Sequence, residues 1–218
     1  MSPALGRSAS SLAPADKLRA EGKSAEAAAA YAKALEQYPL ADDAPRASYA
    51  AAQNIATLPG RAEEAAKLLR TLVETQTHDV LAEYALLELG RIQKEKLGDA
   101  AAAAESYASF EAIFPESPRG AAALVELARL QAAEKHFEEA VLTCRKVISK
   151  YPATDEVMTA TLAIADFYRA AGEKDKAQAQ YEAARTLAQD WSDNKYGIDV
   201  GKQAWLRELL DYIRKQTP

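Results

Sequence analysis

A single cysteine, Cys144, excludes any disulfide within this 218-residue chain, so the fold must close through packing. Histidine is nearly as scarce. His78 and His136 lie far apart with no ligand-spaced neighbours, and we expect turn or surface roles for both. The carboxylate pairs Glu63–Glu64 and Glu138–Glu139 are adjacent in sequence, so on a helix they diverge and form no acid–base pair. There is no glycine-rich phosphate loop and no Gly-x-Ser-x-Gly turn. Lysine and arginine never cluster into a block, which argues against nucleic acid as a partner. No apolar run approaches bilayer length, which argues against direct membrane insertion. Runs of β-branched and aromatic residues are missing too, which leaves little material for strands. With no converging nucleophile, base or metal set, the expectation is a non-enzymatic protein without a cofactor.

What is abundant is alanine, at fifty residues, which favours helix because it loses no side-chain entropy there. The net charge of −5 is spread over interspersed acids and bases, as on a solvated helical surface. The alanines also carry a period. Ala27, Ala65, Ala103, Ala140 and Ala177 lie 38, 38, 37 and 37 residues apart. Five residues before each stands Gly22, Gly60, Gly98, Lys135 or Gly172. Four residues after each comes Tyr31, Leu69, Tyr107, Cys144 or Tyr181. Twelve residues after, Pro39, Pro115 and Pro152 close three of the units. Such a period marks a solenoid, whose units complete their cores by stacking on neighbours.

The punctuation predicts an all-α, right-handed superhelix of five helical hairpins plus a C-terminal capping helix. The hairpins span 14–39, 43–77, 79–115, 117–152 and 154–190, after a flexible leader over 1–13 and before a loop and capping helix over 191–218. The first helix of the first hairpin is short, about Pro14 to Ala20, with Pro14 suited to a first turn. Leu58-Pro59-Gly60 is a strong breaker. Ser117 is placed to cap a helix whose first turn takes Pro118. Ser192-Asp193-Asn194-Lys195 reads as a loop, followed by a helix from about Val200 to Lys215 capped by Asp199. Trp191 and Trp205 flank that loop and are expected in the core of the cap, and Cys144 is expected to be a buried structural thiol.

These residues resemble tetratricopeptide repeats, in which small residues and aromatics recur in two antiparallel helices with a proline near the end of the second. The fourth unit matches best, through Leu127-Ala128, Lys135-His136-Phe137-Glu138-Glu139-Ala140, Cys144, Val147 and Pro152. The period of 37–38 exceeds the family's usual 34, and the endings Tyr38-Pro39, Phe114-Pro115 and Tyr151-Pro152 resemble a bacterial envelope subgroup. That subgroup includes the periplasmic Tol–Pal coordinator and the outer-membrane lipoprotein of the β-barrel assembly machinery. The resemblance implies a periplasmic scaffold for a protein or peptide partner, with a cytoplasmic adaptor as the alternative.

It also implies a ligand groove on the concave face, lined by the first helix of each hairpin. Asn54, Arg91, Arg129 and Asp166 fall at matching positions and are expected to form a ladder, with Lys94 and Arg169 three residues beyond two of its rungs. Leu87, Val125 and Leu162 would give an apolar floor, and Tyr84 is expected among the groove residues. Arg91 or Arg129 would grip a partner carboxylate. The carboxylate clamp of chaperone-binding relatives is not matched, since Ala50, Leu87, Val125 and Leu162 replace its polar positions. A second reading is a self-assembling structural protein, a homo-oligomer formed through an apolar N-terminal end that a short first helix covers poorly.

Overall fold

Helices in this chain start and stop where local chemistry requires it. In a computed structural model, which describes residues 12–39, 41–193 and 203–216, all regular structure among those residues is α-helical. Two of the caps are Asp side chains: Asp79 accepts the Leu81 N–H at 2.7 Å and Asp99 accepts the Ala102 N–H at 2.9 Å. The turns inside the hairpins are left-handed. Gly22, Gly60, Gly98 and Gly172 have φ between 68° and 84°, and Lys135 takes the same conformation at 66° without being glycine. Around Gly22, Lys135 and Gly172 the closure repeats. The left-handed residue donates its N–H three residues back, and the next residue donates five back, to Leu18, Gln131 and Tyr168.

The chain divides into two compact units, Met1–Ser117 and Pro118–Pro218. Unit 1 holds α1 (Ala13–Ala20), α2 (Ser24–Gln37), α3 (Ala44–Ala56), α4 (Ala62–Thr75), α5 (Val80–Glu95) and α6 (Ala100–Ile113). Unit 2 holds α7 (Gly120–Ala133), α8 (Phe137–Lys150), α9 (Glu156–Ala170), α10 (Lys174–Ser192) and α11 (Gln203–Gln216). These are five hairpins and a last single helix, as expected from sequence.

The register alanines are the contact points. Ala27, Ala65, Ala103 and Ala140 are fully buried and Ala177 is 3% exposed. Their partners four residues on, Tyr31, Leu69, Tyr107, Cys144 and Tyr181, are all buried as well. Small residues at these crossings let the helices approach closely enough for the large ones to fill the space between them. Gly90 of α5 does the same for Tyr107, because a Cβ there would stand 2.6 Å from the ring. At Gly120, the start of α7, a Cβ would collide with the Tyr151 hydroxyl.

Second helices end alike. Tyr38, Gln76, Phe114 and Tyr151 are C-caps whose N–H groups donate four residues back, and a proline follows three of them. At the matching place α10 has Ala188 and then Gln189, so nothing stops it, and it runs to Ser192. This corrects the expected loop at Ser192. The added turn buries Ala188 and Trp191, which join Leu206, Leu209 and Ile213 of α11 in one core.

Other expectations shift. Ser117 does not cap α7, which begins at Gly120 after Arg119. The helix starts too late for Ser117 to stand at its cap, and the Ser117 Oγ donates a charge-assisted hydrogen bond to Glu83 Oε2 at 2.6 Å. Leu12, assigned to the leader, is 1% exposed in the core of the first hairpin with Ala15 and Tyr31. Trp205 is 40% exposed and leans on buried Trp191 at 6.5 Å between ring centroids, so only one of the pair is a core residue. The expected cap Asp199 and the start at Val200 lie outside the described residues. No described helix is long and apolar enough to cross a membrane.

Candidate partner-binding face

The first helices of the hairpins carry the candidate residues, and each unit presents its own set. In unit 1 these helices are α1, α3 and α5. Tyr49 of α3 and Tyr84 of α5 meet at 6.5 Å between ring centroids, tilted by 52°, with Tyr84 40% exposed. Burial, then the charge of Glu88, raises the Tyr49 phenol above its ordinary range, and Gln53 hydrogen-bonds it. Leu87 is half-buried on the same helix. Arg91 is enclosed by its own helix. It donates Nε and Nη2 to Glu88 at 2.8 and 2.5 Å, and Nη1 to Glu95 at 2.7 Å. The Glu88 hydrogen bonds, foremost among several causes, hold the guanidinium above its already high range. Lys94 is half-buried one turn further on.

Asn54 differs from its expected role. It is 6% exposed, and its Nδ2 donates to the Ala50 carbonyl of the same helix at 2.7 Å. Its amide serves the helix interior, so the ladder has no surface rung there.

In unit 2 the same pattern recurs on α7 and α9. Arg129 donates to Glu126 at 2.5 Å, three residues back like Arg91 to Glu88. Val125 is 4% exposed and belongs to the core with Ala128 and Ile164 rather than to an open floor. Leu162 is half-buried. Asp166 is a structural hub: its Oδ1 accepts Tyr181 at 2.5 Å, Tyr212 at 2.9 Å and Arg169 at 3.2 Å. That one carboxylate ties α9 to α10 and to α11. Asp16 of unit 1 does the equivalent job, accepting Tyr31 at 2.5 Å and both Nη atoms of Arg46 on α3. Tyr31 and Tyr181 are register residues, one at each hub. The ladder arithmetic identified the position of Asp166, but not a phenol 46 residues away.

Clefts of unit 1 lie elsewhere. One of about 410 Å³ follows the α3–α4 turn and the end of α5, lined by Leu58, Pro59, Lys96 and Leu97. Another of about 240 Å³ lies among α2, α3 and α4, over Leu35, Pro45, Leu68 and Leu72. Cys144 is fully buried, and burial pushes its thiol up to about 12, which removes it as a nucleophile at neutral pH.

Comparison with known proteins agrees with the helical-hairpin fold. Residues 84–117 and 122–154 match the model of the tetratricopeptide repeat. The chain superposes on the crystal structure of MamA with a TM-score of 0.62 and 21% identity, over 85% of this chain and 93% of that one. The fold is that of a tetratricopeptide-repeat solenoid. A tetratricopeptide repeat protein from Parabacteroides merdae has the same fold at a TM-score of 0.62 and 14% identity, over 94% of this chain and 78% of that one. YrrB, a TPR protein with an unusual peptide-binding site, gives 0.56 and 19%, over 81% and 84%. No curated protein matches the sequence.

Proposed function

We propose that this tetratricopeptide-like chain is a non-enzymatic scaffold, which binds a peptide or helix of a protein partner on its first-helix faces. The observation that carries the reading is the Tyr49–Tyr84 pair. It places an exposed aromatic ring beside half-buried Leu87 on the surface that α3 and α5 share in unit 1. Aromatic anchors with a polar surround are the usual core of a recognition patch. In unit 2, Arg129, Leu162 and Arg169 are the corresponding surface candidates. The unusual peptide-binding site of YrrB is consistent with partner binding by this fold. The envelope setting and a periplasmic location rest on the 37–38-residue period and the closing prolines. Fractionation of the native host tests that placement.

The function is tested by affinity capture with a Tyr49→Ser/Tyr84→Ser double variant against Leu142→Ser, whose site on the second helix α8 is 63% exposed. The double variant should lose a specific partner while its helicity stays intact, and Leu142→Ser should keep it. Loss in the Leu142 variant alone would place the binding surface on the second helices.

A further inference from the structure

We propose that the first-helix face of unit 1 receives a basic segment of its partner, with a lysine or arginine side chain lodged against Tyr49 and Tyr84 beside Glu88. This deepens the scaffold reading above and rests on it.

The sign of the charge follows from what the arginines already hold. A partner carboxylate would need free guanidinium donors, but Arg91 spends three of its N–H groups on Glu88 and Glu95. Two carboxylates against one guanidinium leave that stripe acidic. Arg46, the other arginine that α3 and α5 contribute, is engaged bidentately by Asp16. An acidic ligand would have to break these intramolecular pairs and would also meet Glu88 and Glu95.

A cation need not break these pairs: it can share Glu88 and Glu95 with Arg91, because each carboxylate oxygen keeps a second acceptor site. Tyr84, Glu88, Arg91 and Glu95 recur three or four residues apart, so they share one face of α5. A cation on that face finds an aromatic ring at Tyr84, a second ring at Tyr49 and carboxylate oxygens of Glu88 and Glu95. Lysine and arginine bind ring faces electrostatically, and neighbouring carboxylates add to the attraction. The balance over longer range has the same sign. Residues 1–117 carry seventeen Asp and Glu against twelve Lys and Arg, whereas residues 118–218 carry fifteen of each. The whole net charge of the chain therefore belongs to unit 1, and the third hairpin, 79–115, is its most acidic part, with seven acids against three bases. That field steers a basic segment to this unit.

The test uses three pools of short fluorescein-labelled peptides that alternate leucine with lysine and arginine, with aspartate and glutamate, or with glutamine. They are titrated by anisotropy against the full chain. The basic pool should bind, with an affinity that falls as salt rises. Tyr84→Ala, Glu88→Gln and Glu95→Gln should each weaken it by about three- to tenfold with unchanged circular dichroism. Glu138→Gln, on the second helix α8, should not. Binding of the acidic pool instead, weakened by Arg91→Gln, would overturn the basic-segment proposal and leave the partner face standing. Basic-pool binding that ignores the Tyr84 and Glu88 changes would be non-specific and would overturn it too. If no pool binds while native capture still depends on Tyr49 and Tyr84, the sign is wrong and the face remains. Failure of the face itself shows in the capture experiment.

Discussion

Tyr212 of the last helix donates its hydroxyl to Asp166 Oδ1 at 2.9 Å, the carboxylate that Tyr181 also holds at 2.5 Å. At the other end of the chain Asp16 receives Tyr31 from its own hairpin and Arg46 from the next. The last helix thus fills the place that the first helix of a following repeat would take. Its apolar stripe, Leu206, Leu209 and Ile213, covers the fifth hairpin, and its polar side faces out. Tyr212→Phe removes a hydrogen bond from α11 to α9. A hydrogen bond to a charged acceptor contributes about 1.5–3 kcal/mol, less at this partly exposed site, so we expect a loss of about 1 kcal/mol. Hydrogen exchange should quicken in α11 first.

The same hub makes stability fall at alkaline pH. Burial, and then the Asp166 carboxylate, raise the Tyr181 and Tyr212 phenols above their ordinary range. A raised phenol pKa means the folded chain holds the proton more tightly than the unfolded one. The stabilisation is fully present below the unfolded value of about 10 and is lost as pH climbs through the folded values. Denaturant melts should show a fall in wild-type stability above that pH that is shallower in Tyr181→Phe/Tyr212→Phe.

Lys135 stands where four other hairpins use glycine. A side chain in the left-handed region costs about 1–2 kcal/mol, and glycine gives back about 0.5–1 in chain entropy. Lys135→Gly should therefore raise stability by about 0.5–1 kcal/mol in urea melts. Gly98→Ala, at φ 68°, should lower it by about 1–2.

Gly90→Ala presses a methyl group against the Tyr107 ring, which is 2% exposed and cannot turn away. We expect a cost of about 1–3 kcal/mol. In a Tyr107→Leu background most of that cost should vanish, so a double-mutant cycle reads the contact itself.

Much of this is legible in the sequence. Ala27, Ala65, Ala103, Ala140 and Ala177 recur at a fixed spacing because every hairpin needs one close crossing, and the residue five before each sets its turn. Glycine marks that turn, yet Lys135 adopts it too, since the closing hydrogen bonds to Ala132 and Gln131 outweigh the local preference. The site was less legible. Arg91 and Arg129 looked like ligand-gripping residues by position, but Glu88 and Glu126, three residues before each, occupy them. That spacing was readable, and helical geometry makes such pairs neighbours. Register alone puts Asn54 and Val125 on the groove face, although in this chain those positions turn inward. Ser117 and Asp166 could not be read from local sequence, because their partners Glu83 and Tyr212 lie 34 and 46 residues away.

Photo-crosslinking tests the account's central claim, that the first helices of unit 1 are the partner surface, most directly. A benzophenone side chain is placed at Tyr84 in one sample and at Leu142, on the second helix α8, in another, and both are irradiated in the native host. The account predicts a discrete adduct from position 84, competed by a basic peptide, and none from position 142. An adduct from 142 with none from 84 would contradict it.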